Sequence, residues 1–370
     1  MIYLDNNATT PVHPDVVNTM IPYFSEKYGN PSSVHMPGRE AKKAIERARE
    51  QVAALINADP TEIYFTSGGT EANNLALRGM IGQSTHLVTG STEHISILRT
   101  AGHLESRQGF IVSVCPVDKY GVIDKEIVLK NIRKDITVVS IMHANNETGT
   151  INPIKDLASA VKSVNGKALF HCDAVQSLGK LKLNVKDSYI DMMSLSAHKV
   201  YGPKGIGALY IRNGVKLNPQ VTGGHQENDL RAGTENVPNI VGFGKACELA
   251  MDYKMTKISQ MRADLMKKLL EIPGATVNGH PTNVLPNTLN MSFRVSSDLI
   301  IMNVSTKGVS VSAGSACESD KPNDSHVLKA MGIESNGGIR MSLGGFNTPD
   351  EIKSAGDILS TTIKGIRNIL

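Results

Sequence analysis

Two residues stand where side chains of their type are costly. Lys199, in SLSAHK, follows the apolar run DMMSLS (191–196), and Asp173, in HCDAVQS, follows ALFHC (168–172). An amine at the end of an apolar strand is expensive if buried and unpaired, so it either projects into water or is put to use. Asp173 by itself reads as a cap at the edge of the core. A third element, SGGTEANN (Ser67–Asn74), follows EIYFT (62–66) and opens a helical pattern. Its two glycines allow close backbone approach, Ser67 and Thr70 bring hydroxyls, and a helix N-terminus favours an anion. The same residues also suit a plain strand-to-helix turn with Ser67 or Thr70 as N-cap. They lack the Gly-Lys-Ser/Thr ending of a Walker A loop. A fourth element, MHANNETG (Met142–Gly149), offers amides at another strand end.

Phosphate cradle, carboxylate and lysine occur in that order, each after a strand candidate. In open α/β sheets ligands gather beyond the carboxyl ends of strands. Pyridoxal phosphate needs these three things: a cradle, a lysine for a Schiff base, and a carboxylate to keep the pyridine nitrogen protonated. Each signal is weak alone; in this order they are specific.

The elements that must position these groups alternate along the chain. Strand candidates lie at 62–66, 86–90, 110–114, 137–143, 168–172, 191–196 and 207–211, with β-branched and apolar content suited to strands covered on both faces. Residues 38–57 place Ala41, Ala44, Ile45, Ala48, Val52, Leu55 and Ile56 on one helical face. A long helical stretch runs from Pro238 towards Leu270, ending near Pro273-Gly274. Beyond it 288–293, 309–313 and 338–343 read as strands, and 298–306, 325–332 and 349–370 as helices. The expected fold is α/β, a large domain with a mostly parallel seven-stranded sheet plus a smaller C-terminal α/β domain. The large domain spans 14–250; 1–13 and 251–370 form the small one.

Composition removes other classes. The chain has 370 residues, ample for two or three cores, and a net charge of +4 that is not gathered into a block, so direct nucleic-acid binding is not indicated. No run reaches the roughly 18 apolar residues of a membrane helix, and MIYLDNNATTPV does not read as a signal peptide. The expected location is cytoplasmic. The four cysteines, Cys115, Cys172, Cys247 and Cys317, form no CxxC pair, which argues against a disulfide framework or a structural metal site. Cys115 and Cys247 have apolar neighbours, and strand alternation turns Cys172 away from Asp173. Cys317 follows small residues (Ser312–Ala316) and precedes ESDKPNDS (318–325), a surface-loop composition. It is the candidate lone working thiol. His326 reads as a histidine packing the base of that loop, with a base for Cys317 as the alternative.

The whole chain resembles a cysteine desulfurase of the NifS/IscS type, a fold-type-I pyridoxal-phosphate enzyme of the class-V aminotransferase family. The resemblance rests on YLDNNATTPV (3–12), YGNPSSVH (28–35), FTSGGTEANN (65–74), TEHISIL (92–98), MHANNETGT (142–150), DAVQSLGK (173–180), SLSAHKVYGPKGIGALY (194–210), RAGTEN (231–236), GSAC (314–317) and IRMSLG (339–344). It implies Lys199 as the Schiff-base lysine and mover of protons at the substrate Cα. Asp173 would pair with the pyridinium nitrogen, and Gln176 and Asn146 would lie near the ring hydroxyl. His94 would stack on the ring and assist acid–base steps; Gly69, Thr70, Ser196 and His198 would hold the phosphate. Thr234 resembles a residue reaching the phosphate of a neighbouring subunit, which implies a homodimer. Arg340 resembles the arginine holding the substrate α-carboxylate, with Asn146 nearby. Cys317 would take sulfur from L-cysteine as a persulfide and pass it to an iron–sulfur scaffold protein or another sulfur acceptor, and could act as a transient iron–sulfur ligand. Selenocysteine lyase or cysteine-sulfinate desulfinase chemistry would use the same apparatus. A non-catalytic cluster-assembly partner would not require Lys199. Gly345 and Asn228-Asp229 depart from the family pattern.

Overall fold

The computed structural model describes residues 1–135, 137–313, 325–333 and 338–368; the expectations for Cys317 lie outside these residues. Twelve strands occur among them: β1 (Ile2–Tyr3), β2 (Ile63–Thr66), β3 (His86–Gly90), β4 (Ile111–Cys115), β5 (Thr137–Ser140), β6 (Leu169–Asp173), β7 (Met192–Ser196), β8 (Gly207–Ile211), β9 (Thr276–Asn278), β10 (Thr288–Ser292), β11 (Val309–Ser310) and β12 (Gly338–Ser342). Seven form one sheet in the order β2-β8-β7-β6-β5-β3-β4. Only β8 runs against the others, being antiparallel to both β2 and β7. The carboxyl ends of β2, β3, β5, β6 and β7 therefore share one edge of the sheet. That single fact assembles the site.

The helices follow from local signals. Helix Met36–Ile56 starts at His35, whose ring accepts the Gly38 N–H at 3.2 Å, and stops at Asn57 in the left-handed conformation. It buries Ala41, Ile45, Ala48, Val52 and Ile56, while Ala44 and Leu55 lie half-buried at the flanks. A long helix from 238 to 270 does not form. Val237–Ala250 and Met255–Leu270 are separate helices. The break has a packing cause: Ala246, Cys247 and Ala250 belong to the core under the large sheet, whereas Ile258, Met261, Leu265 and Leu269 belong to a second core. One straight helix could not face both.

The second core also holds Leu4, Leu289, Met291, Ile339, Met341 and Leu359, under the antiparallel sheet β12-β10-β9. The run 309–313 is shorter than expected as a strand: Val309–Ser310 pairs alongside β1, and Ser312 makes a single antiparallel bridge to Arg340 of β12. Strand β4 corrects the expectation of two covered faces. It is an edge strand, and Ile111 and Val114 are exposed.

Candidate active site

The shared sheet edge opens on a cavity of about 250 Å³ lined by Gly69, Thr70, His94, Asn146, Asp173, Gln176, Ser196, His198, Lys199 and Arg340. These are nine of the expected cofactor residues together with the expected substrate arginine. Thr234 is not among them. It is exposed, beside a different cavity with Ser67 and Arg231.

Several of these side chains arrive by a short route from a strand end. Asp173 closes β6 and is 5 % exposed. Its Oδ1 accepts the Val175 N–H at 3.0 Å and its Oδ2 accepts Asn73 Nδ2 at 2.8 Å. The second Nδ2 hydrogen of Asn73 goes to Ser96 Oγ at 2.9 Å, and Ser96 Oγ lies 2.7 Å from His94 Nδ1. One buried amide thus ties the carboxylate to the histidine. His94 is also the N-cap of helix Ile95–Gln108, its Nδ1 accepting the Ser96 N–H. With Nδ1 accepting, the proton of the neutral ring sits on Nε2. Burial first, then the charges of Lys199 and His326 against that of Asp173, hold the His94 pKa below the ordinary histidine value. The neutral ring is the form suited to stacking.

Helix Gly69–Arg78 begins at Gly68 with no side-chain cap, so neither Ser67 nor Thr70 caps it. Its first two residues, Gly69 and Thr70, line the cavity, and the first N–H groups of a helix have no intrahelical partner. Close approach here requires glycine: a Cβ on Gly207, in β8, would meet Gly68 Cα at 2.8 Å, and one on Gly69 would meet Val175 Cγ2 at 2.7 Å. Ser196 ends β7, and the turn Ala197–Lys199 carries His198 and Lys199. Lys199 Nζ donates to the carbonyls of Asn7 at 2.5 Å and Ala8 at 2.8 Å. Burial, then the charges of Lys199, Lys204 and Lys180, push His198 down to about 3, leaving it neutral.

Arg340 comes from the interior of β12 and is 2 % exposed. Its NH2 group meets Asp5 Oδ1 at 2.7 Å and its NH1 group donates to Asn146 O at 3.1 Å. His326 Nε2 donates to Glu93 O at 3.0 Å, while the ring lines the cavity. Cys115, Cys172 and Cys247 are buried, and burial raises each thiol pKa.

The donor set fits pyridoxal phosphate. An uncapped helix N-terminus with serine and histidine beside it suits a phosphate. A buried carboxylate that accepts from the neutral N–H groups of Val175 and Asn73 suits a pyridinium, and an amine that donates to backbone carbonyls at the cavity wall suits covalent attachment. Comparison with known proteins agrees. The aminotransferase class-V model matches residues 2–354. The chain belongs to the class-V aminotransferase family. This class-V chain is 43 % identical over its full length to the cysteine desulfurase IscS of Methanosarcina thermophila, covering 93 % of that protein. A solved NifS-like protein superposes with a TM-score of 0.92 at 38 % identity, over 98 % of this chain and 99 % of the other. The solved structure of SspA in complex with cysteine gives 0.84 at 38 % identity, over 94 % of this chain and all of that one. Such class-V enzymes depend on pyridoxal phosphate, and the cavity described here has the groups to bind it.

Asn7, Asn73 and Asp5 are site residues that the sequence reading gave no role. Asn73 had a usable signal: an amide on the buried stripe of its helix beside Ala72, Leu75 and Ala76. Asn7 and Asp5 come from the first residues of the chain and reach the site through Ser342 and Asn146.

Proposed function

We propose that this chain is a pyridoxal-phosphate-dependent cysteine desulfurase, which takes sulfur from L-cysteine, releases L-alanine and carries the sulfur as a persulfide on Cys317. The observation that carries the reading is the convergence of Asp173, Lys199, His94 and Arg340 on one cavity. The bound cofactor supplies an aldehyde for the substrate amine and a ring that accepts electrons from the substrate Cα. Lys199 holds the cofactor and then moves the Cα proton. Asp173 keeps the ring nitrogen cationic, and Gln176 and Asn146 attend the ring hydroxyl. Gly69, Thr70, Ser196 and His198 take the phosphate, and neutral His94 stacks on the ring. Arg340 grips the substrate carboxylate, a planar group that matches its fork of donors. The Cys317 thiolate attacks the substrate sulfur. The Cβ–Sγ bond breaks, Cβ keeps the electron pair and takes a proton, and the balance closes with no external oxidant.

The rest of the reading is architectural. Residues 14–250 form a cofactor domain; 1–13 and 251–370 form a small domain bearing Arg340 and the Cys317 loop. Thr234, exposed outside the cavity of its own chain, reaches the phosphate of a second copy, which makes the working unit a homodimer. The persulfide is delivered to an iron–sulfur scaffold protein or another acceptor in the cytoplasm. Among the described residues no helix is long and apolar enough to cross a membrane.

The test is alanine release from L-cysteine by the wild type and Cys317→Ser, with trapping of protein-bound persulfide. The serine variant is expected to bind pyridoxal phosphate and form no persulfide. Persulfide surviving in that variant removes Cys317 from its role. Selenocysteine and cysteine sulfinate run in parallel rank the substrates.

A further inference from the structure

A second amine stands behind Lys199. Lys180 follows the turn after β6, and its Nζ donates to Gln176 O at 3.0 Å and to Gln176 Oε1 at 3.3 Å. Among the described residues no carboxylate lies within ion-pair distance of it. The charged and titratable groups around it are Lys199, Arg340 and His198, with Tyr201 and Tyr253 across a small adjoining cavity. Burial, then the charges of Lys199 and Arg340, press the Lys180 ammonium down to about 7. An ammonium among cations, without an acidic partner, costs stability. A surface lysine does not need such a place.

What Lys180 does there is legible in Gln176. The carboxamide of Gln176 is held at both ends, Oε1 by Lys180 and Nε2 by Asn7 O at 3.1 Å. The two ends cannot be exchanged: a flipped amide would set its NH2 group against an ammonium and its oxygen against a carbonyl. Gln176 lines the cavity and is 5 % exposed. One Nε2 hydrogen remains after the bond to Asn7, so the cavity receives a donor and not an acceptor. Asn7 O is also the carbonyl that receives Lys199 Nζ. Lys180, Gln176, Asn7 and Lys199 therefore form one continuous chain of contacts.

We propose that Lys180 is a positioning residue that locks the Gln176 carboxamide with its N–H toward the cofactor oxygen and, through Asn7, sets the environment of Lys199. The inference rests on the cofactor reading given above for Gln176. In the loaded enzyme Lys180 adds positive charge behind a polarised donor. Both effects favour an anionic ring oxygen and disfavour a protonated nitrogen at Lys199. Removing the amine therefore raises the pH at which the bound cofactor's visible absorbance changes.

The experiment titrates that absorbance against pH in wild type, Lys180→Met, Lys180→Arg, Gln176→Leu and the double variant Lys180→Met/Gln176→Leu, with cofactor dissociation measured alongside. Lys180→Met is expected to raise the midpoint by about one unit. Lys180→Arg, which keeps charge and donors, stays near wild type and covers the case in which the methionine variant does not fold. In the Gln176→Leu background the methionine substitution moves the midpoint less than half as far. A midpoint unmoved by Lys180→Met, or an equal shift in both backgrounds, overturns the proposal. Wild type that binds no pyridoxal phosphate would instead overturn the cofactor reading.

Discussion

Asp173 and Arg340 are buried alike, 5 % and 2 % exposed, yet the molecule satisfies their charges in opposite ways. Asp173 sits at a strand end of the seven-stranded sheet and is held by neutral donors, Val175 N–H and the Asn73 amide. Arg340 projects from within β12 of the three-stranded sheet and meets a carboxylate of its own chain, Asp5. The first charge is oriented but not neutralised by a neighbour in direct contact, which leaves it for a cationic ring. The second is already matched, so an incoming carboxylate must share the guanidinium with Asp5. A buried charge lacking a partner is costly. The large sheet accepts that cost at the group that must hold the cofactor, and the small sheet avoids it at the group that must bind and release a substrate.

The comparison breaks first at Asp173. Asp173→Asn keeps the shape and removes the charge, so cofactor still enters while turnover falls about 10²–10³-fold, the scale for losing one preorganised electrostatic contact. Alanine release at saturating cofactor measures it, and unchanged turnover would show that the carboxylate is not facing the ring. Arg340→Leu acts on binding. KM for cysteine is expected to rise by about 10–100-fold, the loss of a charge-assisted bond, with kcat changing less. Arg340→Lys restores only part, because an ammonium lacks the fork.

Asp5→Asn sharpens the contrast, since it strips Arg340 of its resident anion. The expected loss is about 3 kcal/mol in denaturant unfolding, the scale for breaking a buried ion pair by removing one partner. Added L-alanine, which brings a carboxylate, should stabilise the Asp5→Asn variant more than the wild type. Equal stabilisation of both would mean that the ligand carboxylate binds elsewhere.

How much of this could be read from residues alone follows the same division. Asp173, Ser196, His198 and Lys199 were legible because a parallel sheet delivers its strand ends to one edge, and sequence shows where apolar runs stop. Arg340 was legible through resemblance only; nothing in GIRMSL marks an arginine inside a strand as a ligand. Asp5 and Asn7 were not legible as partners, since they lie about 335 residues from Ser342 and Arg340 along the chain and nothing local encodes that contact. Lys180, inside DAVQSLGK, carried no expectation of its own; its role shows only in its bond to Gln176. The edge position of β4 and the break at 251–254 escaped for a related reason. Both depend on which core a residue faces, a tertiary fact that periodicity does not carry.

The two sheets should also part company in acid, by a smaller and graded effect. Among the described residues the fully buried histidines are His86 and His171, both on the seven-stranded sheet. His171 spans two strands, 2.9 Å from Ser140 Oγ and 2.9 Å from Ser194 Oγ, and burial pushes it down to about 4. Burial likewise lowers His86, with the charge of Arg133 adding to it. A histidine near 6.5 in the unfolded chain and about 4 in the folded one binds its proton first when unfolded. Stability is therefore whole above about 6.5 and declines as pH falls towards 4. Hydrogen exchange across that interval should show amides of β5, β6 and β7 losing protection before those of β10 and β12, and His171→Asn should lessen the slope, with His143 and His198, also lowered by burial, keeping the rest. If protection falls together in both sheets, or the slope is unchanged by His171→Asn, the acid response belongs to other groups. The burial of His171 would then cost the large sheet nothing that the small one escapes.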